Sequence, residues 1–171
     1  KVTIELDGES APLTSGNFLD LINKNVYQGS SFHRVIKTPM PFVIQGGEPF
    51  SKDTNKQKIS TGSFIDPKSG YARFIPLEIM LKQEKNPRYI QILLNQDDFK
   101  RIKLIHKRGT LAMARSQAIE SASSQFYISL RDLPELDGRY AVFGKVVKGM
   151  DVIDLIQEGD YILGIKKITK N

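Results

Sequence analysis

Gln125-Phe126-Tyr127-Ile128-Ser129-Leu130 is a run of strand length, rich in aromatic and β-branched side chains and preceded by the small polar pair Ser123-Ser124. Phe126 and Tyr127 are adjacent, so a regular strand turns them to opposite faces of its sheet. Tyr127 is the firmer candidate for an outer wall, with Phe126 open to a role in filling the interior. Outward from this stretch the same signature recurs at Gly109 to Ala114 and Tyr140 to Val147. It appears again at Val2 to Leu6, Ser31 to Ile36, Phe42 to Gln45 and Tyr161 to Ile168, each run bounded by Gly, Pro, Asn or Asp. Two helices interrupt the strands. One follows Pro12 and Thr14, with Phe18, Leu21 and Ile22 at helical spacing; the other runs from about Met150 to Gln157, with Gly159 as its stop. The chain therefore reads as mainly β. Many strands with scattered turn signals predict a sandwich or a closed barrel, and the barrel is preferred because closure removes exposed sheet edges.

The composition, 40% hydrophobic and 26% charged over 171 residues, is that of one domain, with no repeat, low-complexity tract or dividing linker. No apolar run approaches the roughly 18 residues a membrane-spanning helix needs. The chain opens at Lys1 already within a strand-like alternation, which suggests a domain excised from a longer protein. Residues 50–108 break the strand pattern and read as an elaborated connection. Its part from Met80 to Lys107 is expected to be a surface elaboration outside the chemistry, although Ile90, Ile92, Leu93 and Leu94 must pack on something. The net charge of +6 is spread along the chain, with a denser group at Lys100, Arg101, Lys103, Lys107 and Arg108. With no aromatic platform among them, these cations read as a solvated face rather than a nucleic-acid site, and docking to an acidic partner, such as a protein, or to a lipid surface is the functional alternative.

Several chemistries lack their residues. There is no cysteine, the only histidines, His33 and His106, are far apart, and no metal-ligand pair is formed, so no metal site is expected. Gly46-Gly47 is too short to mark a phosphate loop, and Ser123-Ser124 lacks a hydrolase setting. What remains is Arg34 within Phe32-His33-Arg34-Val35-Ile36, followed by Phe42-Val43-Ile44-Gln45-Gly46-Gly47 and Ser124-Gln125-Phe126-Tyr127. An arginine beside an apolar cleft holds an amide through a fork of donors without exchanging a proton. That suits rotation about a peptide bond, whose barrier of about 18–20 kcal/mol comes from C–N double-bond character.

These segments, in this order and followed by Leu136-Asp137-Gly138-Arg139-Tyr140-Ala141-Val142-Phe143-Gly144, closely resemble the cyclophilins, and Ala11-Pro12 and Asn17-Phe18 match as well. The resemblance implies a peptidyl-prolyl cis-trans isomerase built on a closed eight-stranded antiparallel barrel capped by two helices, here with a long insertion at about 50–108. It implies that Arg34 hydrogen-bonds the substrate backbone and that Gln45 and Gln125 orient arginine and substrate. Phe42, Val43, Phe126, Tyr127 and Leu136 would line a proline pocket, with Arg115, Ser116 and Tyr140 adjoining it. Proline-containing peptides or proteins are the implied partners, and no cofactor is needed. Arg115 stands where asparagine is common, Val43 where methionine is usual, Tyr127 where phenylalanine is usual and Tyr140 where histidine is usual. Glu135 stands where cyclosporin-sensitive members carry tryptophan, so weak cyclosporin binding is expected. Gly62 to Pro67 and Ile75 to Ile79 resemble the long-insert members of cyanobacteria and thylakoid lumens, in which a helical N-terminal region precedes the barrel. By that resemblance the compartment is the periplasm or thylakoid lumen, with the cytoplasm open. The rival reading is a non-catalytic proline-binding or scaffold module using the same groove, and a basic module acting through the insertion is a second.

Overall fold

The computed structural model describes residues 1–49 and 62–168. Its elements in chain order are β1 (Thr3–Leu6), α1 (Pro12–Asn23), β2 (Arg34–Val35), β3 (Val43–Gly46), β4 (Glu78–Ile79), β5 (Arg88–Tyr89), α2 (Gln96–Arg101), β6 (Thr110–Met113), β7 (Phe126–Ser129), β8 (Val142–Lys148) and α3 (Met150–Leu155). A 3-10 turn at Pro134–Leu136 precedes β8.

The expected barrel is not closed. Among the described residues eight strands are present, but six form one open antiparallel sheet in the order β1-β8-β6-β7-β3-β2, while β4 and β5 pair apart as a hairpin. Closure needs a ladder between the two edges, and β2 is only two residues long. The strand expected from Tyr161 to Ile168 does not form. Tyr161 makes a single bridge to Ser31, and the chain at 159–162 exchanges hydrogen bonds with 29–32 through Phe32 N to Asp160 O and Ile162 N to Ser30 O, both 2.8 Å. Beyond that point Ile165 still packs on the main core but Leu163 and Ile168 are exposed, and no further ladder forms among the described residues.

Alternation sorts the side chains of the sheet onto two faces. Ile44, Leu111, Met113, Phe126 and Ile128 join Phe18 and Leu21 of α1, Phe143 and Ile153 in the main core. Phe126 is at its centre, edge-on to Phe18 at 5.4 Å and to Tyr27 at 5.5 Å between ring centroids. Gly47 lets the chain pass behind these rings: its φ is +85°, and a Cβ there would lie 2.6 Å from the Ser124 carbonyl oxygen.

The region from Ile75 to Ile102 is more ordered than a loop. Leu77, Ile79, Leu81, Leu93 and Ile102 form a second core with Ala141. Of the apolar cluster at 90–94, Leu93 is buried there and Leu94 is exposed. Sequence reading missed α2 because it is only six residues long; Asn95 caps it by accepting the Asp97 N–H at 2.9 Å. The first part of the expected insertion, residues 50–61, lies outside the described residues.

This second core also completes α1. Ala11 offers no side-chain cap and Pro12 fills the first turn, so the free amides of that turn need an acceptor from elsewhere. Glu78 of β4 supplies it. One carboxylate oxygen accepts Leu13 N–H at 3.1 Å and the Tyr89 hydroxyl at 2.9 Å; the other accepts Thr14 N–H at 2.8 Å and the Thr14 hydroxyl at 2.6 Å. A buried carboxylate is tolerable here because four donors and the positive end of a helix surround it.

Candidate functional site

The face of the sheet opposite the main core carries a second apolar surface. Val43, Ala112, Tyr127, Leu133 and Val142 are buried in it, and Phe42, Leu104, Ala114, Leu136 and Tyr140 pack around them partly exposed. Strand register builds this wall. Arg34 pairs with Gln45, Gln45 with Tyr127, Tyr127 with Ala112, and Ala112 with Val142, so one row runs from an exposed arginine through a polar residue onto the apolar floor.

A hydrogen-bond chain fixes the polar end. Arg34 Nη1 donates to Gln45 Oε1 at 3.2 Å, Gln45 Nε2 to Gln125 Oε1 at 2.8 Å, and Gln125 Nε2 to the Gly62 carbonyl at 3.1 Å. Among the described residues Arg34 has no carboxylate partner, and the buried Glu78 is committed to α1. The guanidinium is thus oriented by a neutral amide and keeps most of its donors for a ligand.

At the opposite rim Arg115 lies over the Tyr140 ring at 4.8 Å, and Tyr140 meets Tyr127 edge-on at 5.8 Å. Ser116 donates its hydroxyl to Ser121 Oγ at 2.7 Å and remains exposed beside them. Leu136 sits on the 3-10 turn that closes this side. The structure therefore brings together Arg34, Phe42, Val43, Gln45, Arg115, Ser116, Gln125, Tyr127, Leu136 and Tyr140. Phe126 is the correction: strand alternation puts it in the main core, away from the wall that Tyr127 forms.

Behind the wall is a pair of residues that sequence reading missed. Asp137 Oδ1 accepts both the His106 N–H and Nδ1 of its ring at 2.7 Å, and His106 Nε2 lies 2.9 Å from the Tyr127 hydroxyl. A carboxylate only accepts, so Nδ1 carries the proton, and Nε2 of a neutral ring accepts from tyrosine. Burial pushes the Tyr127 hydroxyl well above its ordinary pKa, with Tyr140 adding to the shift, which keeps the donor protonated. The available signal was Tyr127 itself, since a buried tyrosine hydroxyl needs a partner and the chain has only two histidines. His106 and Leu104 lie within 80–107, so the expectation that this segment stands wholly outside the site fails at its C-terminal end. The basic group nearby is no bare patch: Lys100, Arg101, Lys103, Lys107 and Arg108 each lie within 4 Å of a carboxylate.

The family model described as cyclophilin type peptidyl-prolyl cis-trans isomerase matches residues 1–169. The chain belongs to the cyclophilin-type isomerase family. It is 35% identical over 98% of its length to a Synechocystis protein described as a thylakoid lumen peptidyl-prolyl cis-trans isomerase, covering 44% of that protein. It is 36% identical over 97% of its length to a chloroplastic peptidyl-prolyl cis-trans isomerase of Arabidopsis thaliana, covering 38% of it. The chain thus spans less than half the length of either relative. Among solved structures, a Cryptosporidium parvum cyclophilin crystallised in the presence of the dipeptide Ala-Pro is similar, with a TM-score of 0.60 and 28% identity over 90% of this chain and 76% of that one. The mainly β architecture with helices and an antiparallel sheet is this cyclophilin fold.

Proposed function

We propose that this domain catalyses cis-trans isomerisation of Xaa-Pro bonds through the wall bounded by Arg34. The observation that carries the reading is the Arg34–Gln45–Gln125 chain at the edge of the apolar floor of Val43 and Tyr127. An extended segment lies across this face with its proline ring on Val43, Tyr127 and Leu136, beside Phe42. Twisting the amide localises the nitrogen lone pair, and a guanidinium donor directed there binds the twisted state more strongly than either planar one. No acid, base or metal enters such a step. A module that only binds proline has little need of an oriented cation free of carboxylate partners, so Arg34 favours turnover over the binding-module reading.

The partners are proline-containing peptides or proteins, and the compartment, by likeness to the relatives, is the thylakoid lumen or periplasm. Cyclosporin binds weakly, because Glu135 stands at the rim with its carboxylate 2.7 Å from Arg131. The deciding experiment is NMR exchange on an Ala-Pro peptide with the native protein and Arg34→Ala. The variant retains the fold, since Arg34 is exposed, and loses activity by a factor equivalent to about 2.7–4 kcal/mol. No acceleration by the native protein would favour the binding module, and full activity in the folded variant would remove Arg34 from the chemistry.

A further inference from the structure

The arginines of this protein divide into two groups. Arg73 bonds Asp20 and Asp66, Arg88 and Arg101 both bond Glu84 and Asp98, Arg108 bonds Asp154, and Arg131 bonds Glu135. The remaining three, Arg34, Arg115 and Arg139, have no carboxylate partner among the described residues; Arg34 and Arg115 border the apolar wall, and the backbone of Arg139 adjoins it through the carbonyl that holds Arg115. The carboxylates nearest in sequence to Arg139, Glu135 and Asp137, are taken by Arg131 and His106.

Arg115 is held in place without being neutralised. Its Nε and Nη2 donate to the Arg139 carbonyl at 3.1 and 2.8 Å, and Nη1 donates to the Ser116 and Gln117 carbonyls at 2.8 and 3.1 Å. With its central carbon 4.8 Å above the Tyr140 ring, the cation is fixed beside the wall before any ligand arrives, and one Nη2 hydrogen remains unused. Arg139, whose carbonyl holds Arg115 and whose own side chain is exposed, contributes a second positive charge from the neighbouring backbone position. A preorganised guanidinium loses little side-chain freedom when it meets an anion.

We propose that Arg115 and Arg139 select Xaa-Pro segments carrying an acidic side chain one or two residues from the proline, on the side that faces Tyr140. This rests on the isomerase reading of the same wall. An extended chain advances about 3.3 Å per residue, so a side chain at that spacing reaches the rim while the proline occupies the floor. The attraction acts mainly on binding, because a carboxylate so placed is the same distance from the rim in the planar and twisted states.

The test is NMR exchange with the native protein on peptides carrying glutamate, alanine or lysine at each of the two positions before and after a single proline. At one position glutamate should raise kcat/KM about three- to tenfold over alanine, chiefly through KM, and lysine should lower it. The glutamate advantage should shrink as salt rises from about 0.01 M to 1 M, where screening shortens from about 30 Å to 3 Å. Arg139→Gln and Arg115→Gln should each reduce the glutamate-to-alanine ratio, while Arg115→Lys keeps part of it. Equal rates for all three side chains at every position, with the alanine peptide still accelerated, would overturn this inference and leave the isomerase reading standing. No acceleration of any peptide would overturn both.

Discussion

The wall on the outer face of the sheet and the second core at 75–102 lie side by side and treat charge in opposite ways. Around the second core Arg88 and Arg101 bridge the same two carboxylates, and buried Glu78 takes four donors. Around the wall Arg34 is oriented by an amide, Arg115 by carbonyls, and among the described residues neither meets a carboxylate. Paired charges fix geometry, whereas a charge held by neutral dipoles is positioned and still attracts anions or electron-rich groups. The difference marks one region as support and fits the other to the ligand-binding role proposed for it.

Four substitutions or titrations would break or sharpen that contrast. Glu78→Ala should have the largest effect, because it strands the first-turn amides of α1 and two hydroxyls at once. A loss of about 3 kcal/mol or more in urea unfolding is expected, at about 1–3 kcal/mol per stranded buried group. Peptide isomerisation at a temperature where the variant is folded should change little. Unaltered stability would deny Glu78 its supporting role. Leu93→Ala removes a fully buried side chain from the second core and should lower stability by about 2–5 kcal/mol. Because Leu93 N–H also donates to the Gly138 carbonyl, and a Cβ at Gly138 would lie 3.0 Å from the Leu93 side chain, a parallel rise in KM would show that the support reaches the rim.

His106→Ala should be milder, at about 1–3 kcal/mol, since it leaves the Tyr127 hydroxyl without its acceptor. The same change in a Tyr127→Phe background should be less harmful, because no hydroxyl is left stranded. Equal losses in both backgrounds, measured as a double-mutant cycle, would show that the histidine and tyrosine act independently. The smallest effect is on pH. Burial holds the Tyr27 and Tyr127 hydroxyls above their ordinary pKa, and burial with the Glu78 hydrogen bond pushes Tyr89 up to about 12, so the folded state keeps protons that the unfolded chain releases. Their contribution is complete below about pH 10 and declines as pH rises further, because the unfolded state then binds fewer protons than the native one. Thermal unfolding followed from pH 9 upward should show that decline, and a smaller decline in a Tyr127→Phe, Tyr27→Phe variant would assign the difference to these two groups, with Tyr89 left to account for the remainder (pH values are about those set by the free tyrosine pKa).

Period-2 alternation and local turn residues are properties of neighbours in the chain, so the sequence by itself determined which segments become β1, β3, β6, β7 and β8, where α1 begins, and that Tyr127 and Phe126 part company across a strand. It also determined the family, through ordered motifs that include Arg34, Gln45 and Gln125. Sheet closure depends on whether two distant edges find each other, and only the tertiary structure decided that β2 and the chain after Tyr161 leave the sheet open. The same limit applies to Glu78 capping a helix more than sixty residues away and to His106 and Asp137 meeting behind Tyr127. A side chain's partner across the fold leaves no periodic trace in sequence, because hydrogen bonds and ion pairs are fixed by distance in space.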